Sequence, residues 1–393
     1  MSIDRTRRAA LGVIAGAAGL AVLPRAALAQ AKKIKIGLML PYTGTYAQLG
    51  TAITNGFKLY IEETGGRLGG MDIEYATVDD ESAPPKAVEN MNRLVRRDNV
   101  DVVVGTVHSG VALAMANVAR QTGTTLVIPN AGADDITGSL CAPNIFRTSF
   151  TNWQPGYGTG RMMADRRIRT AVTLTWKYAA GDESVNGFKE AFTAGGGKVL
   201  KEMTLPFPNV EFQPFLTEIA ALKPDAVYVF FAGAGAAKFV KDYYAAGLKG
   251  IALYGSGFLT DGVTDSIQDV AQGLTTVLHY GDGIDNPKNK AFRSAYEAKF
   301  KLAPDVYAVQ GYDAAQLLAA GLTAVNGDLA KKDAMYKAME AAKIDSPRGP
   351  FTLSKAHNPV QDMYIRELKG RDNVVTGIAV KALADPARGC KAA

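Results

Sequence analysis

The chain has 393 residues, 47% hydrophobic and 21% charged, a balance that suits a globular protein and not a disordered or fibrous one. Of its formal net charge of +6, residues 1–29 supply +3 through four arginines against one aspartate, so the rest is only mildly basic. Its Lys and Arg are scattered among acids, which argues against nucleic acid as a partner.

At the amino end, Arg5, Arg7 and Arg8 precede an apolar run from Ala9 to Leu23, and Ala27-Leu28-Ala29 has the small-x-small pattern of a cleavage site. Residues 1–29 are therefore predicted to be an export signal removed before Gln30. Thr6-Arg7-Arg8 ahead of Ala9-Ala10-Leu11 is similar to a twin-arginine signal, with Ala10 in place of the more usual Phe; general secretion is the alternative. The run is short and rich in Ala and Gly for a transmembrane helix. Removing 29 residues from 393 leaves 364, more than one hydrophobic core usually serves, so two domains are expected.

Downstream, β-branched runs alternate with helix-length segments, the pattern of an α/β protein with parallel sheets. Strands are predicted over 34–40, 72–78, 102–105 and 124–128, with helices over 48–64, 85–97 and 110–121. A second set follows Phe150, with strands over 170–175, 198–204, 226–231 and 251–254 and helices over 183–194, 212–222 and 235–246. A strand over 275–280, helices over 288–301, 306–324 and 330–342, and tail strands over 350–353, 361–368 and 373–380 complete the chain. Two successive doubly wound units would place a ligand at the carboxyl ends of their strands, in the cleft between them. Returns of the chain between units are expected near Ser149, Tyr280 and Arg348.

Several residues along this frame are candidates for binding. Gly44 and Gly50 bracket a loop before a helix, and Gly105 ends a strand before a helix that starts near Ser109-Gly110, where backbone N–H groups can hold a carboxylate without Lys or Arg. Ser109 can serve as an ordinary N-cap, a ligand contact or both. His108 beside it can donate to a ligand or form part of the cleft wall. Asp79-Asp80 is expected to cap or brace the following helix. Cys141 and Cys390 are compatible with one disulfide in an oxidising compartment, the alternative being a buried Cys141 and a free thiol on the tail. With His108, His279 and His357 they show no metal-ligand spacing, so no metal is expected. No G-x-S-x-G, H-E-x-x-H or G-x-x-x-x-G-K-[ST] pattern occurs, and Ser256 in Gly-Ser-Gly lacks a nearby histidine, so neither enzymatic chemistry nor a cofactor is expected.

The order of export signal, PYTGTYAQLG, GGRLGG, Asp79-Asp80 with Pro84-Pro85-Lys86-Ala87, VVVGTVHSG and VIPNAGA resembles the branched-chain amino-acid binding proteins of ABC importers, periplasmic type I solute-binding proteins, over essentially the whole mature chain. The resemblance implies two doubly wound lobes joined by three crossovers, residues 30–149 with 281–348 and residues 150–280 with 349–393. It also implies a periplasmic monomer that closes on a small molecule and presents it to an inner-membrane ABC permease. On the same ground, Ser109 and the backbone at Ala131 and Gly132, next to Asn130, would hold a carboxylate. The family's second-lobe acid, which pairs with an α-ammonium, falls at Gly257 here, and Asp261 lies four positions away. A desolvated ammonium without a partner costs roughly 3–5 kcal/mol, so an α-amino acid is a poor ligand. Leu49 and Ala234 stand where the family has contacting aromatics, and Ala180 replaces another Tyr, with Tyr178 two residues before it. Tyr46, Trp153, Tyr178, Phe258 and Tyr307 are available to cover a ring. An aromatic carboxylate, benzoate-like or cinnamate-like, is therefore the expected ligand. Branched-chain or other neutral amino acids, or a sensor role on the same fold, are the alternatives.

Overall fold

Short Ile- and Val-rich runs pair in parallel when each is followed by a helix that carries the chain back across the sheet. The computed structural model describes residues 33–391, and the expected leader over 1–29 lies outside them. The first sheet is built from β1 (Lys33–Leu40), β2 (Asp72–Asp79), β3 (Val102–Val104), β4 (Thr125–Ile128) and β5 (Ile145–Arg147), in the order β2-β1-β3-β4-β5 and parallel throughout. Helices α1 (Ala47–Glu63), α2 (Pro84–Asn92), α3 (Ser109–Thr122) and α4 (Asp134–Thr137) connect them. Successive residues of a strand face opposite sides, and β1 splits accordingly. Ile34, Ile36 and Leu38 join Phe57 of α1, whereas Met39 joins Met91 and Met115 of α2 and α3.

The second lobe runs α5 (Trp153–Asp165), β6 (Thr170–Lys177), α6 (Ala179–Ala194), β7 (Lys198–Pro206), α7 (Gln213–Leu222), β8 (Ala226–Phe230), α8 (Gly233–Ala245), β9 (Ala252–Ser256), α9 (Thr264–Ile267) and β10 (Thr275–Leu278). After α10 (Pro287–Phe300), α11 (Val306–Ala324) and α12 (Lys332–Glu340) come β11 (Thr352–Leu353), β12 (Pro359–Lys369) and β13 (Asp372–Leu383). The second sheet has the order β11-β12-β10-β9-β8-β6-β7, with β13 paired to β12. Its β6 to β10 are parallel, and the tail strands attach antiparallel through β10 and β12. Leu317, Leu318 and Leu322 of α11 and Met335 and Met339 of α12 pack on the first sheet, so the chain returns to the first lobe before its tail rejoins the second.

Four elements went unanticipated, β5, α5 and the short helices α4 and α9, and α6 starts at Ala179 rather than near 183. The α5 sequence, Trp-Gln-Pro-Gly-Tyr-Gly-Thr-Gly, reads as a loop by its Pro and Gly content. Its glycines instead permit close helix contact. A Cβ on Gly156 would lie 2.1 Å from Ser184 O of α6, and one on Gly187 of α6 would lie 2.4 Å from Trp153 O.

Hydrogen bonds tie the first passage to the third, and the second to β12. Ser149 O accepts from Gln361 Nε2 (2.6 Å), and Arg348 NH2 donates to Thr148 O (2.6 Å). Tyr280 O accepts from Arg366 NH1 (2.7 Å). Cys141, between α4 and β5, and Cys390, on the tail beyond β13, form a disulfide with a Cα–Cα distance of 5.6 Å. Among the described residues no helix is long and apolar enough to cross a membrane.

Candidate functional site

Strand ends at the carboxyl edges of both sheets converge on one cavity of only about 20 Å³, closed down far below the usual span of about 300–1,000 Å³ for drug-sized ligands. Its apolar lining is Val107, Phe150, Ala180, Phe230, Ala232 and Phe258. Phe150 and Phe258 pack at 4.8 Å between centroids, and Phe230 meets Phe258 edge-on at 6.1 Å. Offset and edge contacts of this kind favour an aromatic guest.

The polar wall of the first lobe follows β3 and β4. His108 is the N-cap of α3, its Nδ1 accepting from Gly110 N–H (3.0 Å), so Ser109 is the first helical residue and its hydroxyl is released from capping. The first turn of a helix leaves N–H groups without intrahelical partners, a favourable setting for an anion. Ser109 Oγ accepts from Asn152 Nδ2 (3.1 Å). Asn130 donates to Gln310 Oε1 (2.7 Å), and Gln310 Nε2 lies 3.2 Å from His279 Nε2. Burial pushes His108 down to about 4, so the imidazole is neutral, stacked on Tyr178 at 4.6 Å. Burial likewise holds His279 well below its ordinary value, with the Arg348 and Arg366 charges adding to the effect.

Behind this wall, Asp79 and Asp80 brace the binding loops and not α2 directly. Asp79 accepts from Tyr42 N–H (2.9 Å) and Thr43 Oγ1 (2.7 Å), while Asp80 accepts from Ser82 N–H (2.8 Å) and the Thr106 hydroxyl.

Across the cleft, Tyr46 and Tyr178 share a hydrogen bond between their hydroxyls (2.9 Å) that links the lobes. Tyr307, from the first turn of α11, lines the cavity with a buried hydroxyl that has no hydrogen-bond partner among the described residues. Burial raises all three phenols, so they stay protonated and can donate. Gly257 is backed by an arginine: a Cβ built on it would lie 2.1 Å from Arg366 NH2. That guanidinium is fully buried and paired with Asp261 (2.7 Å), so the space a side chain at 257 would need is filled by a fixed cation.

Of the residues singled out from sequence, Tyr46, Ser109, Asn130, Gly132, Tyr178, Ala180, Phe258 and Tyr307 line the cavity together. The others are placed elsewhere. Ala131 N–H is taken by Thr106 O (3.0 Å), and Leu49 is buried in the core behind the cavity. His108 caps α3, and Gly257 packs on Arg366. Trp153 turns away, its indole N–H donating to Glu190 Oε2 (2.8 Å) and its ring packing on Tyr157. Ala234 is exposed on α8, and Ala232, the residue before the Gly233 turn, reaches the cavity instead. Val107, Phe150, Asn152, Phe230 and Ala232 were missed. Each follows or ends a strand, so the rule that ligands sit at carboxyl strand ends was the signal that could have found them.

Residues 33–373 match the family described as periplasmic binding protein. The chain is similar to the Leu/Ile/Val-binding protein homolog 6 of Brucella melitensis biotype 1, 30% identical over 362 residues that take in 88% of this chain and 90% of that one. It is also similar to a solved solute binding protein of an ABC transporter from R. palustris in complex with benzoate. That likeness has 57% identity and a TM-score of 0.90, and covers 91% of this chain and 99% of the other. A further solute binding protein, from Rhodopseudomonas palustris BisB5 in complex with 3,4-dihydroxy benzoic acid, is 35% identical with a TM-score of 0.85, covering 90% and 99%.

Proposed function

Because this chain belongs to the periplasmic binding protein family, we propose that it captures a small aromatic carboxylate between its lobes and presents it to an inner-membrane ABC permease. The observation that carries the choice of ligand is Arg366. Its guanidinium fills the space beyond Gly257 and leaves no room there for an acid to pair with an ammonium. The ring-lined cavity and the anion-favouring start of α3 supply the other two requirements, an aromatic body and a carboxylate end. The benzoate complex of the similar R. palustris protein supports the same reading. In this reading the site performs no chemistry, the closing bodies are residues 30–149 with 281–348 and residues 150–280 with 349–393, and the working form is a monomer in the periplasm, exported by a twin-arginine signal.

The test is a thermal-shift and titration-calorimetry panel on refolded, ligand-free mature protein with benzoate, 4-hydroxybenzoate, 4-coumarate, leucine and valine. A ligand at 100 times its dissociation constant stabilises the folded state by about 2.7 kcal/mol. Shifts with the aromatic acids alone are expected; shifts with leucine or valine alone would restore an amino-acid ligand. In the same panel, Tyr307→Phe should weaken 4-hydroxybenzoate several-fold, roughly the 0.5–1.5 kcal/mol of one neutral hydrogen bond, and leave benzoate within twofold.

A further inference from the structure

A hydroxyl both donates and accepts, so what Ser109 offers to a ligand depends on its other partner. Asn152 Nδ2 donates to Ser109 Oγ (3.1 Å) and also to Glu183 Oε2 (2.7 Å), one N–H to each. Ser109 Oγ is therefore already accepting, and its proton is free to point into the cavity. An Asn152 amide turned by half a revolution would reverse this. Its oxygen would face Ser109, take the hydroxyl proton and leave the cavity one donor short.

Glu183 opposes that reversal, because an ionised carboxylate accepts hydrogen bonds and cannot donate to an amide oxygen. The same Oε2 accepts the Asp134 N–H (3.1 Å), which fixes it against α4 of the first lobe while its own helix, α6, belongs to the second. We propose that Glu183 is a positioning residue of the ligand site: through Asn152 it sets Ser109 as a donor and so selects ligands that end in a carboxylate. The proposal rests on the function proposed above only in its choice of probe. Around Glu183 stand Asp134 and Asp135 on α4, Arg147 on β5 and Tyr178 at the head of α6, and burial among them raises its carboxyl to about 7. The experiment is therefore run at about pH 8.

Benzoate titrations would compare the wild type with Glu183→Met, Glu183→Gln, Ser109→Ala and the Glu183→Met/Ser109→Ala double variant. Glu183→Met is expected to weaken binding roughly tenfold, the scale of one hydrogen bond to a charged group. Glu183→Gln, whose amide oxygen can still accept both N–H groups, should stay within about threefold. In the Ser109→Ala background, Glu183→Met should have no further effect, the non-additivity expected of residues that act through one another. An equal loss in both backgrounds, or a Gln variant as weak as Met, would overturn the relay.

Should Glu183→Met fail to fold, the wild-type Asn152 side-chain amide decides by NMR. Both its protons should be protected from solvent exchange in ligand-free protein, and rapid exchange of both would overturn the proposal. If the wild type binds no aromatic acid, the proposed function falls, and amide protection still judges the relay.

Discussion

Asp80 shows how a single buried carboxyl ties stability to pH. It is 1% exposed, and burial raises it to about 6, the neighbouring charges of Asp79 and Glu81 adding to the shift while the Thr106 and Ser82 hydrogen bonds oppose it. Its folded value lies above its unfolded one, so its contribution to stability is fully present below about pH 4 and is lost as the pH rises through about 6. Asp80→Asn, which mimics the protonated acid, should therefore raise stability by about 3 kcal/mol at pH 8 and about half that at pH 5. Chemical denaturation at the two pH values checks this, and an equal gain at both would sink it. The role of Asp80 was only half legible. The acidic pair announces bracing, but that it holds Thr106 rather than a helix end depends on β2 and β3 flanking β1, which no local pattern reveals. Arg366 was illegible for a similar reason. It is 109 residues from Gly257 in sequence, and only the antiparallel pairing of β12 with β10 brings it behind that glycine.

Among the elements, α11 carries a buried charge that ties two passages together. Its Asp313 and the Arg348 of the third passage form a buried ion pair at 3.3 Å, and Ser346 Oγ donates to the same carboxylate oxygen (2.8 Å). Arg348 in turn donates to Thr148 and Ser149 carbonyls, so this pair clamps the first passage to the third. Removing one partner of a buried pair strands the other charge, at a cost of about 3–5 kcal/mol. Arg348→Met, which strands the Asp313 carboxylate, should lower the unfolding midpoint accordingly, and a change below about 1 kcal/mol would show that the clamp is dispensable. Most elements were readable because their apolar runs have a clear period and Gly or Pro boundaries. The exceptions have physical reasons. Helix α5 hides behind glycines that serve close packing on α6, and β5 is three residues long, too short for any alternation to register.

For the molecule as a whole, the Tyr46–Tyr178 hydrogen bond and the Asp134–Glu183 contact both join the two lobes, so the geometry described is a closed one. Family membership and the two-lobe architecture were legible because they rest on the order of many segments. The lining was less so, since a one-residue or two-residue shift in a Gly-rich turn exchanges Ala234 for Ala232. The Cys141–Cys390 disulfide ties the tail beyond the last strand of the second lobe to a loop of the first. Cys390→Ser is expected to cost about 2–4 kcal/mol in thermal unfolding, and an unchanged midpoint would contradict this.

That bond also changes what a protease can accomplish. Because it spans 249 residues, a single cut at any exposed loop between the two cysteines leaves one covalent molecule whose pieces remain docked. On an electrophoresis gel such a nicked chain would migrate as a single species until a reductant is added. The folded chain can thus take a first cut without shedding a fragment.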